Sequence, residues 1–357
     1  MVVEENYPVA RTRVPLRISF GGGGTDVDPY ASEYGGVTLS ATISKYVYCS
    51  VTRLLGEEIR VTSEDSNAAS AFHMLDIPSY DGNLDLVKAV IARINPGWRR
   101  GLAVVVRSDA PPGSGLGASS AIVVAALLSI ARVMGVTLSR TEVAHLAYEI
   151  ERKDLGIMGG YQDQYAAAFG GFSWTEYRQG RVSVRGVGVE SDILRELEYR
   201  SILWFTGEQH ESGSILQDQV ARYTMHDTAT ISRLEAMKIM AAEMRDAVLE
   251  GRLDEFGQLL HESWTIKRAL TDKISSSRVD ELYEAAQEAG AIGGKLLGAG
   301  GGGYLLLYVP EQVRRAMMSR LAQIGGSYGG QVHFDLSGPT TWASKGLTFP
   351  LGAFRIV

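Results

Sequence analysis

The chain has 357 residues, enough for two domains or one large α/β unit. Its 45% hydrophobic and 21% charged residues fit a globular protein with a real core, and a formal charge of −6 without a basic block argues against a nucleic-acid partner. Glycine is the outlier at 41 residues, in short clusters without a collagen period or Ser-rich linkers, which excludes fibres and low-complexity disorder.

In chain order, the first six residues lack the basic start and apolar run of a signal peptide, so a cytoplasmic protein is expected. Residues 11–18 and 37–53 are β-branched and partly alternating, and predict strands on either side of Gly21-Gly-Gly-Gly-Thr-Asp. Cys49, the single cysteine, leaves no intrachain disulfide and suits a reducing compartment. Leu102–Arg107 predicts a strand that enters the loop 108–117, followed by an apolar helix over 119–134 and an amphipathic one over 140–153. The longest apolar run, Ala121–Ala131, is too short to cross a bilayer, so no membrane partner is expected. A composition change near 180–191 marks a domain boundary, giving domains 1–190 and 191–357. Beyond it come a strand from Ser201, helices near 227–250, 254–270 and 278–289, a strand from Tyr304 and a helix near 311–324. The order of elements predicts an α+β fold of two domains. Six scattered histidines show no metal-ligand spacing, so zinc is not expected.

Pro111-Pro-Gly-Ser-Gly-Leu-Gly-Ala-Ser-Ser, between a strand and an apolar helix, carries the chemistry. Gly113, Gly115 and Gly117 leave backbone N–H groups uncovered, and the helix start adds unpaired amides and the positive end of its dipole. Together they make a cradle for a polyphosphate, with the hydroxyls of Ser119 and Ser120 within reach of a phosphate-bound Mg²⁺. A Walker loop would need a lysine, which is missing. A dinucleotide fingerprint would need its glycines directly after the strand and an acid at the end of a second strand, and neither condition holds. A glycine-rich helix entry with Ser caps is the ordinary structural alternative.

This segment resembles the ATP loop of the GHMP kinases (the galactokinase, homoserine, mevalonate and phosphomevalonate kinase superfamily), whose motif reads Pro-x-x-x-Gly-Leu-Gly-Ser-Ser-Ala. Two further segments resemble the superfamily in order. Pro15 to Asp26 is similar to its first motif, with the nine-residue step from Arg17 to Asp26, and Gly298 to Tyr304 is similar to its third. Gly23 and Gly24 stand where galactokinases carry Glu and His. Together with Gln162–Gly171, they look instead like the bacterial D-glycero-D-manno-heptose 7-phosphate kinases.

The resemblance implies a ribosomal-protein-S5-like N-terminal domain, a ferredoxin-like helix-rich C-terminal domain, and ATP and a sugar phosphate as small-molecule partners. ATP would lie along Pro112, Gly113, Ser114, Gly115, Leu116, Gly117, Ala118, Ser119 and Ser120. Asp163 is implied as the base, with a helix N-cap as the alternative, and Arg17 as the cation that keeps it ionised. Mg²⁺ would take Glu151, with Glu149 and Asp154 as alternatives, and Ser119, with Ser120 as the fallback because Ala118 replaces the motif's first serine. The sugar would meet Gly23, Gly24, Thr25, Asp26 and the backbone of Gly300, Gly301 and Gly302. Asp26 could otherwise cap a helix over Val27–Tyr34, and the Gly300 run could be a purely structural turn. Arg152, Lys153, His210, Arg222 and Lys295 are candidates for the sugar's own phosphate. The reaction implied is phosphorylation of the anomeric hydroxyl of a heptose 7-phosphate. The alternatives are an anomeric kinase for another sugar such as fucose, or a non-catalytic sugar- or nucleotide-binding regulator.

Overall fold

The computed structural model describes residues 8–94, 100–209 and 213–344. Strand β1 (Val9–Gly21) leads through helix α1 (Tyr30–Tyr34) to the 19-residue β2 (Gly36–Leu54). The hairpin β3 (Glu58–Ser63) and β4 (Ala69–His73), helix α2 (Asp85–Ile94) and β5 (Gly101–Ser108) follow. Next come α3 (Ala118–Met134), α4 (Arg140–Glu149), α5 (Gln162–Phe169), β6 (Phe172–Arg178) and β7 (Arg181–Gly186). The remainder comprises α6 (Ser191–Arg200), β8 (Ser201–Phe205), α7 (Gly213–Thr224), α8 (Thr228–Leu249), α9 (Leu253–Arg268) and α10 (Ser277–Glu288). It ends with β9 (Gly293–Leu296), β10 (Tyr304–Tyr308), α11 (Glu311–Ile324), β11 (Ser327–Gln331) and β12 (Thr340–Ser344).

The first sheet runs β12-β1-β2-β5-β3-β4, and the long β2 carries β6 and β7 on its other end. Pro15 sits at a register shift of β1, where its missing N–H costs the ladder nothing. Beyond it, Leu16, Ile18 and Phe20 enter the core, and the backbone N–H of Arg17 bonds to Leu116 O at 3.0 Å in the phosphate loop. Helix α3 is apolar around most of its circumference and packs beneath β1 and β2, so it is a core element with no solvent face of any extent.

The second sheet runs β11-β8-β10-β9, all antiparallel. That order, with α11 between the last two strands, is the split β-α-β arrangement of a ferredoxin-like lobe. Leu203 and Leu306 point into the core shared with the first sheet, whereas Ile202, Trp204, Leu305 and Leu307 point into a second core under the helices. Burial on both faces explains the uninterrupted apolar run of β10.

The fold departs from the sequence expectations in three places. The expected boundary region is occupied by β7, and β12 returns to pair with β1, so the segment 191–357 does not stay within the second lobe. The helix expected over 140–153 ends at Glu149 and continues as one wider π-type turn, Ile150–Asp154. The helix expected over 27–34 is confined to Tyr30–Tyr34.

Candidate active site

Arg17 is held in place from three directions. It projects from the part of β1 past the register shift, is 5% exposed, and donates from Nε and Nη2 to the two carboxylate oxygens of Asp163 at 2.8 Å each. Its Nη1 donates to the carbonyl of Gly115. A bidentate guanidinium–carboxylate pair fixes orientation as well as charge. Asp163 lies in the first turn of α5 with its side chain 30% exposed, facing the cleft. It caps nothing: the N-cap residue of α5 is Tyr161, and the first amide of that helix, Gln162 N, donates instead to Asp26 Oδ2 at 2.9 Å. Asp26 therefore caps α5 from a distant loop, not the helix that follows it in sequence.

Asp26 is buried, and its second oxygen accepts from Gly24 N at 3.0 Å. Burial pushes its carboxyl above the usual range, the charge of Asp163 adds to this, and the two amide donors pull it back. Ser19, Gln162 and Gln219 complete this end of the cleft: Gln162 Nε2 donates to Ser19 Oγ at 2.7 Å and Gln219 Nε2 to Gly24 O at 2.9 Å.

Across the cleft the phosphate loop passes into α3. Gly117, at φ +74°, is the N-cap with no side-chain cap, so the first-turn amides of α3 have no partner in their own helix. Ser114 Oγ is buried without a hydrogen-bond partner. A buried orphan hydroxyl beside uncapped amides is a seat for an anion with several acceptor oxygens. Below it, Ser120 Oγ lies 2.9 and 3.0 Å from the two oxygens of Glu151, which also accept from Gln164. Glu151 is 1% exposed, and burial raises its carboxyl, with Arg152, Gln164 and Ser120 opposing. One carboxylate and one hydroxyl at the foot of a phosphate seat suit Mg²⁺, which takes few protein oxygens and completes its shell with phosphate and water. Among the described residues no cluster of three or more His, Cys, Asp or Glu offers an all-protein metal site.

These walls line an open cleft between the two lobes, and Lys267 from α9 and Lys295 from β9 close its far side. Two family models match the chain, the GHMP kinases N terminal domain over residues 85–171 and the GHMP kinases C terminal domain over 244–323. The D-glycero-alpha-D-manno-heptose 7-phosphate kinase of Campylobacter jejuni is 34% identical over 93% of this chain and 98% of its own length. The chain belongs to the GHMP kinases. A crystal structure described as a D-glycero-D-manno-heptose 1-phosphate kinase from Bacteriodes thetaiotaomicron superposes with a TM-score of 0.78 at 32% identity. It covers 93% of this chain and 98% of that one. A bifunctional fucokinase/GDP-fucose pyrophosphorylase from Arabidopsis thaliana is 29% identical over 84% of this chain but only 30% of its own length. The chain is thus a sugar kinase, a phosphotransferase with an alcohol acceptor.

Within this GHMP kinase the structure brings together Arg17, Asp163, Asp26, Gly23, Gly24, Gly113, Ser114, Gly115, Gly117, Ala118, Ser119, Ser120 and Glu151. It corrects several expectations. Ser120, one helical position further on, faces Glu151, while Ser119 is exposed at the mouth. Pro112 and Leu116 do not line the cleft; Leu116 is a core residue. Thr25 is fully buried, its hydroxyl spent on Gly22 O at 2.8 Å and Val37 N at 3.0 Å. Gly300 to Gly302 also lie off the cleft: Gly300 packs on the backbone of Ile274, Gly301 N bonds to Ile274 O, and Gly302 abuts Glu208. Gly298 and Ala299 take their place at the wall.

Of the alternative metal acids, Glu149 pairs with Arg93 and Lys153, and Asp154 with Arg93, so neither faces the cleft. Arg222 pairs with Asp218, and Arg152 holds the carbonyls of Ile157 and Gly160. His210 lies outside the described residues. Sequence reasoning missed Lys267, Ser19, Gln164 and Gln219. The signal for Lys267 was present: Phe256, Leu260, Trp264 and Lys267 recur at helical spacing, which places a lysine on the buried stripe of α9.

Proposed function

We propose that this kinase phosphorylates the anomeric hydroxyl of a heptose 7-phosphate to the 1,7-bisphosphate. ATP is the donor, Mg²⁺ would serve as its counter-ion, and the reaction takes place in the cytoplasm. The observation that carries the acceptor is the pair Gly23-Gly24. Both line the cleft against Ser19, Gln162 and Gln219, whose polar atoms lie 3.2–3.5 Å from where a Cβ would stand, so this wall offers hydrogen-bonding groups to a sugar with no larger side chain from either position between them. The near full-length similarity to the Campylobacter heptose 7-phosphate kinase supports the same reading.

In this scheme the triphosphate lies along Gly113–Ser120, with Ser114 and the first-turn amides of α3 as donors. Ser120 and Glu151 are the protein ligands that would hold Mg²⁺, which when bound neutralises phosphate charge. Asp163 takes the proton of the attacking hydroxyl, and Arg17 holds Asp163 in position while its third nitrogen organises Gly115. Asp26 accepts from sugar hydroxyls, and by capping α5 it sets the position of Asp163. No helix among the described residues is long and apolar enough to cross a membrane.

The test is ATP consumption by purified protein with heptose 7-phosphate, heptose 1-phosphate and fucose, with the product read by ³¹P NMR. Preferred turnover of the 7-phosphate to a 1,7-bisphosphate, lost by about 10³-fold or more in Asp163→Asn, is expected. Preference for fucose, the second reading that the fucokinase similarity favours, or for the 1-phosphate overturns the assignment. Nucleotide binding without turnover of any sugar would indicate the regulator.

A further inference from the structure

Among the described residues, two ammonium groups in the cleft have no ion-pair partner. Lys267 is 7% exposed and Lys295 2% exposed, and each donates to one backbone carbonyl, Gly298 O and Phe20 O respectively. Among the described residues neither has a carboxylate within ion-pair distance. A buried cation with only a carbonyl partner is costly unless a ligand brings the missing negative charge. The two differ in place. Lys295 bonds back onto β1 at 2.9 Å. Lys267 holds Gly298, whose Cα lies against Gly115 of the phosphate loop, and its charge couples to Arg17, Asp26 and Asp163.

We propose that Lys267 is a catalytic residue of this kinase, contacting the phosphoryl group in transit and neutralising the charge that develops on its oxygens. The proposal rests on phosphoryl transfer in this cleft but not on the identity of the sugar. In the step, the bond from the acceptor oxygen to the γ-phosphorus forms, the bond to the β-phosphate oxygen breaks, and the hydroxyl proton passes to Asp163. Lys267 keeps its proton throughout. Arg17, already committed to Asp163 and Gly115, cannot also serve all the transferring oxygens, and Lys267 supplies the second cation.

The groups facing Lys267 are Arg17 from β1, Asp26 from the loop after it, Asp163 from α5 and Lys295 from β9. Burial first, then Arg17, lower Lys267 to about 8, with the two aspartates opposing. A phosphate dianion arriving beside it raises it again, so nucleotide binding near pH 8.5 takes up a proton.

The experiment compares wild type, Lys267→Met, Lys267→Gln and Lys267→Arg. Steady-state kinetics use the sugar turned over, and calorimetry of a non-hydrolysable ATP analogue with Mg²⁺ is run at pH 8.5 in buffers of different ionisation enthalpy. Expected are a kcat loss of about 10²–10³-fold in the Met and Gln variants, partial rescue by Arg, and proton uptake in wild type that all three variants lose. A kcat within threefold of wild type in a folded Met or Gln variant overturns the proposal. So does a loss confined to the sugar KM, which would place Lys267 on the acceptor's own phosphate. If no sugar is turned over, the sugar-kinase reading fails by itself, and the calorimetric arm decides for Lys267: absence of wild-type proton uptake refutes it.

Discussion

One methyl group at Gly160 should dislocate the Arg17–Asp163 pair without unfolding the protein. A Cβ there would lie 2.0 Å from Asp26 Oδ2, 2.5 Å from its Cγ and 2.8 Å from its carbonyl oxygen. Ordinary contact begins near 3.4 Å, so Asp26 or the 157–160 loop has to retreat by roughly 1.4 Å. Asp26 cannot retreat freely, because its oxygens hold Gly24 N and Gln162 N, and Gln162 begins the turn that carries Asp163. The displacement therefore passes to Asp163, the proposed base. A misplacement of about 1 Å at a reacting group costs on the order of 10²-fold in rate, whereas such local overpacking costs about 1–3 kcal/mol of stability. Gly160→Ala should accordingly lose about 10²-fold in kcat at saturating ATP and sugar, with thermal unfolding lowered by only several degrees. Gly186→Ala, whose added Cβ meets nothing within 4 Å, serves as the control and should keep wild-type kcat. If Gly160→Ala turns over as fast as the control, the coupling from Gly160 through Asp26 to Asp163 does not exist.

The two serines of the phosphate loop separate cleanly. Ser120→Ala removes the hydroxyl that meets Glu151, so it should lower kcat at least tenfold and raise the Mg²⁺ concentration needed for half-maximal rate. Ser119→Ala, at the exposed mouth, should stay within threefold on both measures, and a reversed ranking would reinstate Ser119 as the metal serine. Stability should carry the mark of Lys267. Its folded value of about 8 lies below its ordinary 10.5, so the unfolded chain binds the extra proton between those values, and this contribution to stability rises with pH across that window. Below pH 8 the retained charge costs up to roughly 3 kcal/mol. Lys267→Met should unfold later than wild type at pH 7, with the advantage shrinking as pH approaches 10.5 in urea titrations at several pH values. An advantage constant across that window would remove the linkage.

Much of the fold was legible because its signals are local. The α3 helix, the β10 strand and the long charged helices follow from periodicity within one segment. The elements that escaped are those whose partners lie far off in the chain. β12, a Thr-Thr-Trp-Ala-Ser segment with little apolar pattern, is a strand because β1 offers it an edge, and nothing within those five residues announces this. In the site, the Arg17–Asp163 pair was implied by the family resemblance of two separate motifs. The sequence left both Ser119 and Ser120 open, since a helix turns about 100° per residue and only the position of Glu151 decides which hydroxyl it meets.

The glycine clusters show why the site needed three dimensions. From sequence they indicate backbone cleared for a ligand, and at Gly23 and Gly24 cleared backbone does face the cleft. Elsewhere the cleared space is filled by other backbone. A Cβ on Gly22 would strike Val37 O at 2.0 Å, one on Gly36 would strike Thr25 O at 2.0 Å, and one on Gly303 would strike Ser114 O at 2.5 Å. Gly115 and Gly298 abut each other in the same way. The first motif is thus locked to β2, and the second motif to the third, through positions where no side chain fits. Gly298 and Gly303 of the third motif seat Gly115 and Ser114, which sets this loop against Arg17, and the carbonyl of Gly298 holds Lys267 beside it. The glycine excess is the means by which loops from two lobes come close enough for one arginine, two aspartates and a buried lysine to share a single cleft.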